Sequence, residues 1–197
     1  MLNDEPEKKW NKIYATKDLS TYNPELTAAE VLQEHVWLLP KSGDAVDLAC
    51  GLGSNAIFLA KHGLHTQGWD ISQTVIEKLR AYCQEYTVSL AAEVRDIEKQ
   101  PPEANSFDVI NVSYYLERNI CDAIIAALRP HGLLFYQTFI IEKVTEHGPS
   151  NLQYRLQANE LLKLFSPLHI LAYKEYGRVG DIKQGVRDVA MLVAQKR

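Results

Sequence analysis

The chain has 197 residues, 46% of them hydrophobic, with 21 basic and 25 acidic side chains and a net charge of -4. That length fits a single domain able to bury a core without disulfides or a structural metal, and the acidic balance, with no basic block, argues against a nucleic acid as main partner. No apolar run approaches the roughly 20 residues of a membrane span, and Cys50, Cys83 and Cys121 lie far apart in apolar patterns, so a soluble cytoplasmic protein with reduced thiols and no membrane association is expected.

The first ten residues are polar. Asn23-Pro24-Glu25 then reads as a helix start, with apolar residues at Leu26, Ala29, Leu32, Val36 and Leu39 forming one face until Pro40. Residues 1–40 are therefore expected to be an N-terminal segment and helix serving as a lid, and 41–197 the main domain. A first strand is predicted over Ala45–Ala49, followed by a helix over 54–62, a strand over 64–69, a helix over 73–86 and a strand over 88–94. Pro101–Ser106 reads as a surface loop. Beyond it come a strand over 107–113, a helix over 119–128 and a strand over 132–140.

Strands separated by helical segments imply a parallel sheet with helices on both faces. The last third breaks that rhythm. After a short helix near Glu160–Phe165, two strand-like runs, His169–Tyr176 and Val186–Ala194, are joined by a turn with Gly177, Gly180 and Gly185. There is no room for a crossover helix, so this pair must be antiparallel. The expected fold is α/β, a Rossmann-like, seven-stranded, mostly parallel sheet with a C-terminal antiparallel hairpin.

In such sheets ligands bind at the carboxyl edge of the strands, and the residues there carry the chemistry. Asp47-Leu48-Ala49-Cys50-Gly51-Leu52-Gly53 reads as strand, glycine turn and helix start, which aims backbone N–H groups at a small anionic group. Asp70, 23 residues beyond Asp47, ends the second strand at about the spacing of a ribose-binding carboxylate. Arg95-Asp96-Ile97 places another acid after the third. Gly51-x-Gly53-x-x-Ala56 also fits a dinucleotide fingerprint. Three features favour S-adenosylmethionine instead: Asp47 suits an ammonium group better than a pyrophosphate, the chain is short for a dehydrogenase, and the C-terminal pair is antiparallel.

These motifs, with Phe107-Asp108-Val109-Ile110 and the terminal hairpin, make the chain resemble the class I S-adenosylmethionine-dependent methyltransferases from about Asn23 to Arg197. Gly68-Trp69-Asp70, Asn159-Glu160-Leu161 and Ala190–Lys196 make it look most like their tellurite-resistance group. The resemblance implies that Asp47, Ala49, Gly51 and Gly53 surround the methionine end of the cofactor and that Asp70 holds the ribose hydroxyls with Ile71 against the adenine. It further implies that Asp96 and the Ile97 N–H meet the adenine edge, and that Asn111, Val112 and Ser113 line the floor near the sulfonium. The acceptor is expected to be a small molecule.

An acceptor carrying a proton would use a base, for which Tyr114 and Glu117 are the candidates. Trp10, Tyr14 and Tyr22 are expected in a lid. Tyr14, Arg118 and Arg155 are the main substrate candidates, with Thr138, Phe139, His147 and Tyr154 nearby and Arg178 and Arg187 as further cations for an anionic acceptor. The six histidines show no metal-ligand grouping, and no metal is expected. A non-catalytic S-adenosylmethionine-binding module and a nicotinamide-dependent reductase are the alternatives.

Overall fold

The computed structural model describes residues 6–16 and 28–197. One sheet runs through it, built from β1 (Asp44–Leu48), β2 (His65–Asp70), β3 (Leu90–Val94), β4 (Phe107–Ser113), β5 (Leu128–Phe139), β6 (His169–Glu175) and β7 (Val189–Gln195). The strand order is β3-β2-β1-β4-β5-β7-β6. The first five strands are mutually parallel. β7 inserts antiparallel between β5 and β6, as the missing crossover requires. Among the described residues six α-helices accompany them: α1 (Pro6–Thr16), α2 (Glu30–Glu34), α3 (Ser54–Lys61), α4 (Gln73–Glu85), α5 (Cys121–Ala127) and α6 (Glu160–Leu164). None is long and apolar enough to cross a membrane.

Alternate residues of the central strands feed opposite faces. Val46, Leu48, Ile110, Val112, Leu134 and Tyr136 pack with Ile124 of α5 and Leu161 of α6. Ala45, Val109, Leu133, Phe135, Met191 and Val193 pack on the other side with Val31, Leu32 and Leu59. Burial on both faces is why these strands read as nearly continuous apolar runs. Each large side chain fully removed from water there contributes about 1.5–3 kcal/mol before entropy is counted. All three cysteines are buried and unbridged.

The N-terminal region departs from the sequence reading. Tyr22, the Asn23-Pro24-Glu25 start and Leu26 lie outside the described residues. The helix expected to reach Pro40 is only α2, and it breaks at His35, whose Nδ1 lies 3.0 Å from the Val31 carbonyl. A short 3-10 turn, Val36–Leu38, follows. Tertiary groups take over the N–H groups at the start of α2: the Asn55 side chain accepts from Ala29 N–H at 2.8 Å and Gln137 from Val31 N–H at 2.9 Å. The segment read only as polar contains α1, none of whose residues is buried.

β5 also begins earlier than 132. Leu128 pairs with Phe107 and the register then jumps to Val109 opposite Leu133. Arg129, in this excursion, bridges Asp44 at 2.8 Å and Asp108 at 2.6 Å.

Beyond β5 the chain is held by Asp188, a buried residue with φ of 65°. Its Oδ1 accepts the N–H groups of Val144 and Thr145 at 2.5 and 3.2 Å, and Thr145 Oγ1 donates to Oδ2. Replacing Asp188 by alanine strands these donors and removes the polar side chain that lets aspartate adopt left-handed backbone. The expected loss is about 2–4 kcal/mol in urea unfolding, with faster amide exchange confined first to residues 141–148.

Candidate active site

Strand order reverses between β1 and β4, and the ends of β1 to β4 open onto one cleft of about 350 Å³. Such a crevice is the usual ligand site of an open α/β sheet, and the volume is within the ordinary range for a small-molecule pocket. The turn after β1 carries three residues in left-handed backbone, Ala49 (φ 54°), Gly51 (φ 54°) and Gly53 (φ 83°). It is fastened by Cys50 N–H to the Trp69 carbonyl and Gly53 N–H to the Cys50 carbonyl, both at 2.9 Å.

The two glycines serve different ends. A Cβ on Gly51 would come within 2.9 Å of the Tyr14 hydroxyl, so its bareness keeps the cleft open beneath α1. A Cβ on Gly53 would meet Leu79 at 2.4 Å. Gly53 is not on the cleft lining; it lets the start of α3 pack against α4.

Asp47 is 1% exposed. The β1–β4 register sets it opposite Asn111, whose Nδ2 donates to Asp47 Oδ1 at 2.7 Å. Oδ2 has no hydrogen-bond partner among the described residues. Burial raises the carboxyl pKa to about 7; Asn111, the Ala56 N–H and nearby Asn55 lower it only in part. A buried carboxylate with an unmatched oxygen is costly unless a cation or donor is brought to it.

Asp70 is buried at the end of β2 and anchors both sides of the cleft. Its Oδ2 accepts from Gly51 N–H and its Oδ1 from Ser72 N–H, each at 2.9 Å. Burial raises its pKa, opposed by these N–H groups. Each oxygen keeps capacity for one more hydrogen bond. Ser72 caps α4, accepting from Val75 N–H, and donates its hydroxyl to Asn11 of α1 at 2.7 Å. Lys78 of α4 donates to the Tyr14 carbonyl at 2.7 Å. Through these bonds α1 lies across the cleft and contributes Pro6, Trp10 and Tyr14 to its lining. Trp10 and Tyr14 are therefore where a lid was expected, on a helix that was not.

After β3, Asp96 accepts from Glu98 N–H at 3.1 Å and pairs with Lys99 at 2.8 Å, and Lys99 holds its pKa below the usual carboxylate value. Ile71 and Ile97 line the cleft beside Asp70 and Asp96. Arg95 also lies there, but its guanidinium stacks 3.8 Å over the Trp69 ring and donates to the Gln100 and Pro101 carbonyls.

At the end of β4, Ser113, Tyr114 and Tyr115 line the cleft, whereas Asn111 and Val112 lie buried behind it. Asn111 donates to Ser113 Oγ, 3.2 Å away, and to Asp47, which like Asn111 is buried and is not itself on the lining. Tyr114 has a φ of 59° and is 48% exposed. Burial of its hydroxyl and the neighbouring Glu30 carboxylate push its pKa up to about 12, so at neutral pH it is a phenol and not a base. Its ring packs against Phe139 at 5.1 Å, and Phe139 meets His147 at 5.5 Å. Thr138 is buried.

The other acceptor-side residues are not brought to the cleft. Glu117 accepts from Asn119 N–H and caps a 3-10 turn. Arg118 makes a two-pronged pair with Glu160 at 2.6 and 3.1 Å and donates to the Gln153 and Arg155 carbonyls. Arg155 donates to the Pro149 carbonyl, Arg178 to that of Lys143, and Arg187 to four carbonyls of the β6–β7 turn. Tyr154 is exposed away from the lining. These cations hold loops in place. Sequence reasoning passed over Glu30 and Gln137, which contact Tyr114. The available signal was an amide inside the apolar run of β5.

Residues 45–132 match the family described as "Methyltransferase domain". Over 134 residues the chain is 27% identical to a ubiquinone biosynthesis O-methyltransferase of Coxiella burnetii, spanning 66% of this chain and 56% of that relative. The chain thus spans little more than half the length of the curated relatives it matches. TehB from Haemophilus influenzae superposes with a TM-score of 0.69 at 18% identity, over 97% of this chain and 67% of TehB. An S-adenosylmethionine-dependent methyltransferase from Aquifex aeolicus superposes at 0.67 with 14% identity, over 98% of this chain and the whole of that one. These two likenesses establish the shared Rossmann-like fold.

The Asp47 carboxyl sets a pH dependence. Because its folded pKa is raised, its unfavourable term is absent below about pH 4, grows as pH rises, and is complete above about pH 7. Asp47→Asn removes that term. In urea unfolding without ligand the variant is expected to match the native protein near pH 3.5 and to exceed it by a few kcal/mol near pH 8.

Proposed function

We propose that this protein is an S-adenosylmethionine-dependent methyltransferase acting on a small-molecule acceptor. The observation that carries the reading is the convergence of four parallel strand ends, through residues 49–51, 70–71, 95–98 and 113–115, on one cleft. The match of residues 45–132 to a methyltransferase domain supports it.

The chain's own groups fit that cofactor. Asp70 offers a remaining lone pair on each oxygen to the ribose hydroxyls while its N–H partners keep it from turning. Ile71 and Ile97 give apolar contact for the adenine, and Asp96 with the Ile97 N–H meets its edge. The turn at Ala49 and Gly51 receives the methionine end, and Asp47 supplies negative charge beneath it, its unmatched Oδ2 being relieved by an ammonium group. Gly53, Asn111 and Val112 act behind this layer, by shaping the turn and the floor at Ser113.

Bound in this cleft, S-adenosylmethionine supplies an already activated methyl group. What remains for the protein is positioning and exclusion of water. α1, held by Asn11 and Lys78, covers the cleft with Trp10 and Tyr14. Asp70, Asp96 and Glu98 against the single cation Arg95 leave the described lining net negative, which favours a cationic donor over its neutral product.

The O-methyltransferase relative supports an oxygen acceptor. The likeness to TehB supports grouping with the tellurite-resistance methyltransferases in fold. Residues 41–197 act as one catalytic domain, residues 1–40 bring the lid helix, and buried free thiols accord with a reducing cytoplasm.

S-adenosylhomocysteine is expected to raise the melting temperature and NADH to leave it unchanged; the reverse would identify a nicotinamide enzyme. Asp70→Ala is expected to weaken S-adenosylhomocysteine binding at least about tenfold by calorimetry, a loss of roughly 1.4 kcal/mol or more. Unchanged affinity in a folded variant would remove Asp70 from the site.

A further inference from the structure

Among the described residues, the hydrogen bonds around Tyr114 leave one vacancy, and its polarity is determined. Gln137 is fully buried. Its Oε1 accepts from Val31 N–H at 2.9 Å, which fixes the amide so that Nε2 faces the other way. Nε2 donates to Tyr114 Oη at 2.8 Å and to Glu30 Oε2 at 2.5 Å. One lone pair of Oη is thereby occupied. The Tyr114 hydroxyl proton points at Glu30 Oε2, 3.3 Å away, because that carboxylate oxygen can only accept. Among the described residues Tyr114 Oη therefore has a single lone pair without a partner, on a side chain that lines the cleft.

Building on the methyltransferase reading above, we propose that the acceptor is a hydroxyl compound that arrives with its proton, and that Tyr114 and Glu30 take that proton up in relay. The acceptor O–H donates to the vacant lone pair of Tyr114. As its oxygen forms the new bond to the methyl carbon, the carbon–sulfur bond breaks and its electron pair stays on sulfur. The acceptor proton passes to Tyr114 Oη while the Tyr114 proton passes to Glu30 Oε2. Tyr114 ends as the neutral phenol it began as, Glu30 ends protonated, and Glu30 then returns its proton to water.

A phenol that resists ionisation cannot act as a base alone, but it can pass a proton onward without becoming a phenolate. Gln137 is the positioning residue that sets the direction of the relay. An oxyanion such as tellurite needs no proton removed before it accepts a methyl group, and its oxygens would face a lone pair where they need a donor. The arginines expected to meet an anion are tied to Glu160 or to main-chain carbonyls.

Among the described residues, the other charges near Glu30 are few. Glu34 lies one turn along α2 and is paired with Lys174 of β6. β5 presents neutral Gln137, and β7 packs Val189 and Met191 in the same core. Backbone strain at Tyr114, a bulky residue in left-handed conformation, accords with a side chain held where packing alone would not put it.

The test uses the full chain and the variants Tyr114→Phe, Glu30→Gln and Glu30→Asp. All three should bind S-adenosylhomocysteine within about twofold of the native protein by calorimetry; failure of the native protein to bind would sink the cofactor reading, not the relay. Methyl transfer from radiolabelled donor is then measured with catechol and with inorganic tellurite.

Transfer to catechol is expected, its acid limb in the kcat/KM pH profile lost in Glu30→Gln, with rates reduced at least about tenfold in Glu30→Gln and Tyr114→Phe and partly restored by Glu30→Asp. Independently of turnover, the tyrosinate absorbance that disappears in Tyr114→Phe should develop at lower pH in Glu30→Gln. Transfer to tellurite alone, transfer to neither probe, an unaltered pH profile, or a Tyr114 titration indifferent to Glu30 overturns the proposal.

Discussion

The Asp70 carboxylate is the joint on which this site turns. One oxygen takes the N–H of Gly51 and the other that of Ser72, so a single buried group ties the turn after β1 to the start of α4. Ser72 extends the chain of bonds to Asn11 of α1. The glycine turn, the end of β2 with the start of α4, and the helix over the cleft are in this way one hydrogen-bonded unit. Charge-assisted bonds to backbone N–H groups are among the stronger ones available to a protein, and here they restrain three separately encoded segments.

A second constraint comes from desolvation. Asp47 and Asn111 face one another across adjacent parallel strands in the middle of an otherwise apolar sheet. The pairing satisfies one carboxylate oxygen and leaves the other without a partner among the described residues. In stability alone this is unfavourable. The same logic separates Gly51 from Gly53: one leaves room in the cleft, the other leaves room for Leu79. Both belong to one sequence motif, but only one faces the ligand space.

The region after β4 is shaped by where the charges are spent. Arg118, Arg155, Arg178 and Arg187 brace the loops after β5 and the β6–β7 turn by donating to carbonyls and to Glu160. The polar groups beside the end of β4 are instead Tyr114, Gln137 and Glu30. Their bonding is fully directed because the Gln137 amide is locked by a backbone donor from α2. α2 itself is short, and that shortness is connected to the site: the Asn55 and Gln137 side chains, not preceding turns of helix, receive N–H groups at its start.

The alternation of apolar strands and helices, the glycine turn, and the acids at the ends of β2 and β3 were legible in the residues themselves. Each is a local signal: strand period, turn chemistry, or spacing along one βαβ unit. The absence of a crossover before β7 likewise dictated its antiparallel pairing. Helix α1, the break at His35 and the early start of β5 were not legible. They depend on partners far along the chain, Ser72 and Lys78 for α1 and the register jump opposite Phe107 for β5. The same holds for the choice between Glu117, which caps a turn, and Glu30, which meets Tyr114. A side chain's partner across the fold is set by register and packing, which no local pattern encodes, so sequence determined the edge of the sheet where chemistry gathers and tertiary structure decided which residues are there.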